Sequence, residues 1–418
     1  MERLKVLWLS NKVRSDQDRG STGTWLDAMA QALVQSGQVE LANIAMGPVR
    51  ATTRQDIGPI TQWIIPASAR SHLCNGLPSA AIVEDICQAV NEFAPDIVHV
   101  WGTENFWGLL PARGLIRRPA LLEMQGLVSV YARVFTGGLT WREQMSCIGL
   151  KEVVRRSTLS QGRRRFEEWG VFEKEIIRGH SFITTQSDWM KAWVTTTNAS
   201  CTIFHNENAL RPSFYINGCW HPTGNPVIFS TAAYPVPYKG LHVAIRATAI
   251  LKRRFPEIQL HIAGAHQKHG IRQDGYVGWL NRQINKLGIE SNVVWLGALT
   301  ASQIVDEMRR SSAMVLPTFI ENCSIAMQEA MAFGIPLAVS YVGGLPSLAR
   351  DEESALFFPP GDEAMCAYQV ERLLTNRKMA EDLSKQAREV AVTRNDQILE
   401  RQLKIYQAVL QLATRQAA

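Results

Sequence analysis

The sequence predicts an α/β protein built as two doubly wound domains that face each other across a cleft. Three observations carry that prediction. Short β-branched apolar runs alternate with longer stretches of helical period, the pattern of parallel sheets covered by helices. The alternation stops between about Asn208 and Asn225, where "NALRPSFYINGCWHPTGN" is rich in Pro, Gly and Asn and lacks a period, and then it restarts. The length, 418 residues, exceeds what one core serves and suits two domains of roughly 200 residues each.

In order, the first domain opens on the strand "LKVLWLS" (4–10), a helix from about Thr24 to Ser36 and the strand "VELANIA" (39–45). A helix near 80–93 leads to the strands "DIVHVW" (96–101) and "ALLEM" (120–124). Long polar helices run from about 141 to 178, and "SFITT" and "CTIF" complete the strands. The second domain offers "PVIFST", "IQLHIAG", "NVVWLG", "AMVLP", "PLAVS" and "ALFFP", separated by helical stretches such as 240–255, 276–287 and 301–311. The last forty residues, rich in Gln, Arg, Lys, Glu and Leu, read as two amphipathic helices. Ligands of open α/β sheets lie beyond the carboxyl ends of the strands, so function is sought in the loops that follow them.

Composition narrows the setting. With 46% hydrophobic and 20% charged residues the chain reads as an ordinary soluble protein. No run approaches the roughly 18 apolar residues of a membrane span, and "MERLK" followed by "VLWLS" is too short for a secretory segment. Seven scattered cysteines, none in a CxxC pair, argue against a disulfide framework or zinc knuckle and favour a reducing cytoplasm. The Asn-x-Ser sequons at Asn198 and Asn322 are then chance matches. A net charge of +6 points to an anionic partner: nucleic acid, an acidic membrane surface or a phosphorylated small molecule.

Chemistry concentrates in "PTFIENCSIAMQEAMAFGIPLAVSYVGG" (317–344), where Glu321 and Glu329 stand eight positions apart in an apolar setting. Ser324 suits a helix N-cap and Gly334 a helix stop. A helix N-terminus presents free N–H groups and a positive dipole to a phosphate. At 1.5 Å per residue the two carboxylates lie roughly 8–12 Å apart, about the span from a sugar past a diphosphate to a ribose. Carboxylates accept hydrogen bonds from vicinal hydroxyls, so each glutamate would hold one ring and the helix tip the phosphates between them.

The composite "P-T-F-I-E-x7-E-A-M-A-F-G-I-P-L-A-V-S-x-V-G-G-L-P" resembles the E-x7-E signature of the retaining family 4 glycosyltransferases, which have the GT-B fold of two Rossmann-like domains. The likeness extends to "YKGLHVAIRATAIL" (238–251), "LHIAG" (260–264), "VVWLGAL" (293–299) and "ALFFPPGDEA" (355–364), and more thinly to "PDIVHVWG" (95–102). It implies transfer of a hexosyl-type sugar from a nucleotide diphosphate sugar to an acceptor hydroxyl, without metal or other cofactor, in polysaccharide or glycolipid assembly. Residues 1–218 would bind the acceptor, 219–400 the nucleotide sugar, and the helix at 401–418 would pack back on the first domain.

Carried over residue by residue, the resemblance gives Glu321 the donor sugar hydroxyls and Glu329 the ribose. Lys239 would neutralise the diphosphate and stabilise the charge that gathers on the leaving group. Backbone N–H groups of Ser324, Ile325 and Ala326 would assist, Gly264 would let the backbone approach the nucleotide, and Gly20 and Gly23 would approach the diphosphate from the first domain. Two positions depart from the family pattern. Tyr234 stands where many members have an arginine, and Gln125 where they often have a histidine beside the donor sugar. An amide can hydrogen-bond a hydroxyl there but cannot take its proton. The architecture also suits a nucleotide-sugar epimerase or a non-catalytic nucleotide-sugar-binding subunit.

Other signals have plainer readings. Asp16 and Asp18 precede the first helix, where acidic caps are expected. His266 and His269 lack a carboxylate or cysteine to complete a metal shell. His99 reads as a strand residue with a satisfied imidazole. The segment 151–165 carries six Lys/Arg against one acid and follows Trp141, Ile148 and Leu150. It suits a peripheral contact with an anionic membrane or a phosphorylated lipid, or else a solvated helical face. No nucleic-acid motif accompanies the charge.

Overall fold

The computed structural model of the chain describes residues 3–15, 24–70, 73–216, 218–232, 236–264 and 274–417. These form two compact units. The first gathers Met1–Ser129, Glu167–Ala209 and Asn395–Ala418; the second gathers Val130–Phe166 and Leu210–Arg394.

The first unit holds an eight-stranded sheet made of β1 (Leu4–Ser10), β2 (Val39–Gly47), β3 (Thr53–Ile57), β4 (Ile60–Pro66), β5 (Ile97–Trp101), β6 (Ala120–Glu123), β7 (Phe182–Thr185) and β8 (Thr202–His205). Their spatial order is β3-β4-β2-β1-β5-β6-β7-β8, parallel throughout except for β3 against β4. The β3–β4 hairpin is absent from the sequence expectation. β3, "TRQDI", is an exposed polar edge strand with no apolar face to announce it, and β4 is bracketed by Pro59 and Pro66.

The second unit holds β9 (Val227–Thr231), β10 (Gln259–Ala263), β11 (Val293–Gly297), β12 (Ala313–Leu316), β13 (Leu337–Ser340) and β14 (Leu356–Phe358), all parallel, in the order β11-β10-β9-β12-β13-β14. These are the six strands the sequence announces. Both faces are covered, as the strand alternation shows: Ala313 and Val315 of β12 enter one apolar layer, Met314 and Leu316 the other.

Two expectations change. Residues 130–166 do not join the first unit, as a boundary at 218 had them. Leu139 and Cys147 are buried in the second unit's core, and Glu143 pairs with Arg246 at 2.5 Å. The polar stretch 141–178 accordingly breaks into helices Trp141–Ser146, Leu150–Val154 and Leu159–Arg178. The C-terminal stretch is one helix, Arg377–Ala417, because no Gly or Pro interrupts it. Its residues to Arg394 belong to the second unit and those from Asn395 to the first. Asn198 and Asn322, the two sequon asparagines, are buried.

That helix is anchored in the first unit's core. Ile398, Ile405 and Val409 pack with Val6, Trp8 and Ile97, and Gln402 accepts a 2.9 Å hydrogen bond from Asn206. Tyr406 Oη meets His99 Nδ1 at 2.8 Å and accepts from Trp8 Nε1 at 3.4 Å. His99 is therefore the strand residue its sequence context suggests, but its imidazole is hydrogen-bonded only through Nδ1. Its Nε2 faces Glu123 Oε2 at 3.5 Å. Burial holds His99 neutral, with its pKa pushed down to about 3. Burial also lifts Glu123 to about 8, against the lowering effect of hydrogen bonds from Gln186 and Thr184. At neutral pH burial leaves both groups uncharged.

A carboxyl whose pKa is raised on folding stabilises the native state below its unfolded pKa, and that contribution is lost as pH rises through the folded value. Wild-type melting temperature is thus expected to fall between pH 5 and pH 8.5 by on the order of 5 °C more than that of Glu123→Gln, which keeps the shape and cannot ionise. Parallel slopes in a differential scanning pH series would refute the assignment.

Candidate active site

Three loops of the second unit meet at the carboxyl ends of the neighbouring strands β9, β12 and β13, and glycines allow the meeting. After β9, Gly240 has φ +73°, and a Cβ there would stand 1.8 Å from the carbonyl oxygen of Pro317 in the loop after β12. After β13, Gly343 has φ +53°, and a Cβ there would stand 1.9 Å from the carbonyl oxygen of Glu321. Hydrogen bonds complete the clamp: Phe319 N and Thr318 Oγ1 donate to Tyr238 O at 2.8 and 3.1 Å, and Gly344 N donates to Glu321 O at 3.0 Å.

Above this clamp Lys239 Nζ donates to Glu321 Oε2 at 2.6 Å. Both side chains are half-buried. Burial works against the lysine charge, but Glu321 outweighs it and holds the ammonium above the ordinary lysine range. Just beyond, the helix Ile325–Phe333 begins. Ser324 is its N-cap, with Oγ accepting from Met327 N at 3.3 Å, and Gly334 ends it at φ +87°. The first turn leaves N–H groups around Ser324, Ile325 and Ala326 that no intrahelical carbonyl can satisfy. Gly264, at the end of β10, has φ +91° and donates to Gly297 O at 2.7 Å.

Residues 130–147 supply a further wall. A Cβ on Gly137 would stand 2.2 Å from Pro237 O, and one on Gly138 would stand 3.1 Å from the Phe319 ring. Tyr131 and Phe135 pack on Tyr238 with ring centroids 5.6 and 5.7 Å away. His242 stacks on Phe319 and bonds Tyr276 Oη at 2.8 Å; burial pushes it down to about 4, so it is a neutral support.

Glu329 has a partner that the sequence did not announce. Arg211 Nε and a terminal guanidinium nitrogen donate to its two carboxylate oxygens at 2.6 and 2.8 Å, and the guanidinium sits 4.8 Å from the Phe214 ring. Burial lifts the Glu329 pKa, and Arg211 opposes the lift. Arg211 lies in the aperiodic stretch around 208–225, where one arginine before a proline carries no recognisable signal.

Residues 221–390 match the family model of the glycosyl transferases group 1. The matched segment contains Lys239, Gly264, Glu321, Ser324, Ile325, Ala326 and Glu329. A glycogen synthase of Mycobacterium tuberculosis is 31% identical over 151 residues, 36% of this chain and 34% of that protein. A D-inositol 3-phosphate glycosyltransferase of Saccharomonospora viridis is 30% identical over 169 residues, 40% of this chain and 38% of that protein. The chain thus spans about a third of the length of the curated relatives it matches. The whole chain is similar to sucrose-phosphate synthase from Thermosynechococcus elongatus, with TM-score 0.73, 16% identity and 99% of both chains covered. It is also similar to the Anabaena HepE protein in complex with UDP-glucose, with TM-score 0.65, 16% identity and 95% and 99% covered. The fold is GT-B, two Rossmann-like α/β domains with parallel sheets.

The remaining expected site residues lie outside the matched segment. Gln125 belongs to the first unit, in the loop after β6, beside Gly102 and Glu104: a Cβ on Gly102 would stand 2.0 Å from Glu104 Oε2 and 3.2 Å from Gln125 Oε1. Burial, with Glu173 adding to it, lifts Glu104 to about 7. Gly20, Gly23, Tyr234, Asp16, Asp18, His266 and His269 lie outside the described residues. Among the described residues no group of three or more His, Cys, Asp or Glu could hold a metal.

Removing one partner of a buried ion pair leaves the other charge uncompensated, at a cost of about 3–5 kcal/mol. Arg211→Ala should lose about that much in denaturant unfolding, and adding Glu329→Gln should restore a large part of it. A loss below about 1 kcal/mol would show that the pair contributes little.

Proposed function

We propose that this chain is a retaining, metal-independent glycosyltransferase that moves a hexosyl-type sugar from a nucleotide diphosphate sugar to an acceptor hydroxyl. The observation that carries the reading is the Lys239–Glu321 pair at the mouth of the capped helix Ile325–Phe333, on loops clamped at the carboxyl ends of β9, β12 and β13. A cation and a helix tip suit a diphosphate, and the carboxylate next to them suits the hydroxyls of the attached sugar. Glu329 would take the ribose, Gly264 would admit the nucleotide, and Gln125, with Gly20 and Gly23, would serve from the first unit.

In the reaction the C1–O bond to the phosphate breaks, and a bond from the acceptor oxygen to C1 forms on the same face. The acceptor proton passes to the departing phosphate oxygen. Charge grows on the phosphate as the bond lengthens, and Lys239 with the N–H groups of Ser324, Ile325 and Ala326 would meet it there. No histidine base is required, which accords with Gln125 in that place.

The HepE neighbour, solved with UDP-glucose, makes uridine the first base to test. The first unit would bind the acceptor, a carbohydrate or lipid-linked precursor of a polysaccharide or glycolipid. The setting would be the cytoplasm, with a peripheral membrane contact through 151–165. Among the described residues no helix is long and apolar enough to cross a membrane.

Uridine, guanosine and adenosine diphosphates should separate by thermal stabilisation, because a ligand that binds only the native form raises the melting temperature. Lys239→Ala and Glu321→Gln should each lower transfer by roughly 10²–10³-fold, with chelator leaving wild-type transfer unchanged and the product keeping the donor's anomeric configuration by NMR. Stabilisation without turnover on any acceptor would instead favour a binding subunit, and a new sugar isomer formed without acceptor would favour an epimerase.

A further inference from the structure

The second unit carries an apolar platform that its own core does not use. Between Trp141 and Val154, Trp141 and Val154 are each 72% exposed, Leu150 62%, Val153 60% and Met145 48%. They stand on the two short helices Trp141–Ser146 and Leu150–Val154. Five large exposed apolar side chains in so short a segment exceed the isolated cases that any surface shows.

The segment is not loosely attached. The Glu152 carboxylate accepts from Gly149 N and Gly275 N, both at 3.0 Å. Lys151 pairs with Asp274 at 3.3 Å, and Arg282 donates to Ser146 O at 2.5 Å. Gly275 is required where it stands, since a Cβ there would meet Cys147 O at 1.8 Å. The bonds to Gly275, Asp274 and Arg282 tie the polar side of the segment to the rest of the second unit, and the apolar side chains are left exposed. The acids are spent in the same way: Glu143 is held by Arg246 and Glu152 by backbone amides. The basic side chains exposed among the apolar groups are Arg142, Arg155 and Arg156.

A tryptophan and branched aliphatics rimmed by arginines match the interface of an anionic bilayer, where rings and aliphatics enter the headgroup boundary and cations meet lipid phosphates. A second protein surface of matching size would need an acidic rim. We propose that this platform, centred on Trp141, Leu150, Val153 and Val154, seats the unit bearing Lys239 and Glu321 on an anionic membrane surface. The proposal deepens the peripheral contact read above for 151–165, and rests on that reading for its setting. It shifts the contact from the basic residues of the run to the apolar residues before and within it, and from the acceptor side to the nucleotide-sugar side of the enzyme. The residues just before this segment, Gly137 and Gly138, lie against Pro237 and Phe319, which puts the platform next in sequence to the wall of the candidate site.

The test is cosedimentation of the full chain with phosphatidylcholine vesicles with and without phosphatidylglycerol. Binding should require the anionic lipid and weaken in high salt. It should fall at least 10-fold in Trp141→Ser/Val154→Ser and in Arg155→Glu/Arg156→Glu. Because these positions are exposed, stabilisation by uridine diphosphate should be unchanged in both variants, which separates failure of this proposal from failure of the transferase reading. Equal binding by wild type and variants, or no binding to anionic vesicles, would overturn the proposal. So would a dimer in light scattering that Trp141→Ser/Val154→Ser abolishes, since the platform would then belong to a second copy.

Discussion

A half-buried lysine held by a glutamate, on loops too close together to admit any Cβ at two positions, is the constraint on which the second unit's site depends. A charge with little solvent is costly unless something nearby compensates it. Glu321 compensates Lys239 at 2.6 Å, and the backbone beneath is fixed by Gly240 against Pro317 and by Gly343 against Glu321. The pair is better understood as preorganisation than as stability, because buried ion pairs often do no more than break even against desolvation. In the proposed reading, the arrangement would offer an arriving anion a cation already in place.

The two units spend their buried polar groups differently. In the second unit, Lys239–Glu321 and Arg211–Glu329 keep charges and opposite partners close together at strand ends. In the first, His99, Glu123, Tyr406 and Trp8 form a neutral set that fastens the C-terminal helix to the sheet. The former suits ligand chemistry, and the latter suits structure. Glu104, buried beside Gly102, is lifted to about 7.

Much of this was legible in the sequence. All six strands of the second unit, the N-cap at Ser324 and the stop at Gly334 follow from period and capping chemistry, because local preference and global fold agree there. The proximity of Lys239 to Glu321 follows from both residues sitting just beyond parallel strands. What could not be read was tertiary. Residues 130–166 look like any polar helical stretch, and only the burial of Leu139 and Cys147 in the second unit's core reveals their allegiance. Arg211 is one arginine in an aperiodic loop, and its importance arises from Glu329, more than a hundred residues away in sequence. β3 escaped because an exposed polar edge strand has no apolar alternation, and the C-terminal helix was divided although nothing in its sequence breaks it.

The measurement closest to the central claim is a crystal structure of the chain with uridine diphosphate bound. The account requires the diphosphate within hydrogen-bonding distance of Lys239 Nζ and of the first-turn N–H groups at 324–326, with the ribose hydroxyls on Glu329. A nucleotide bound elsewhere, with the Lys239–Glu321 pair untouched, would contradict it.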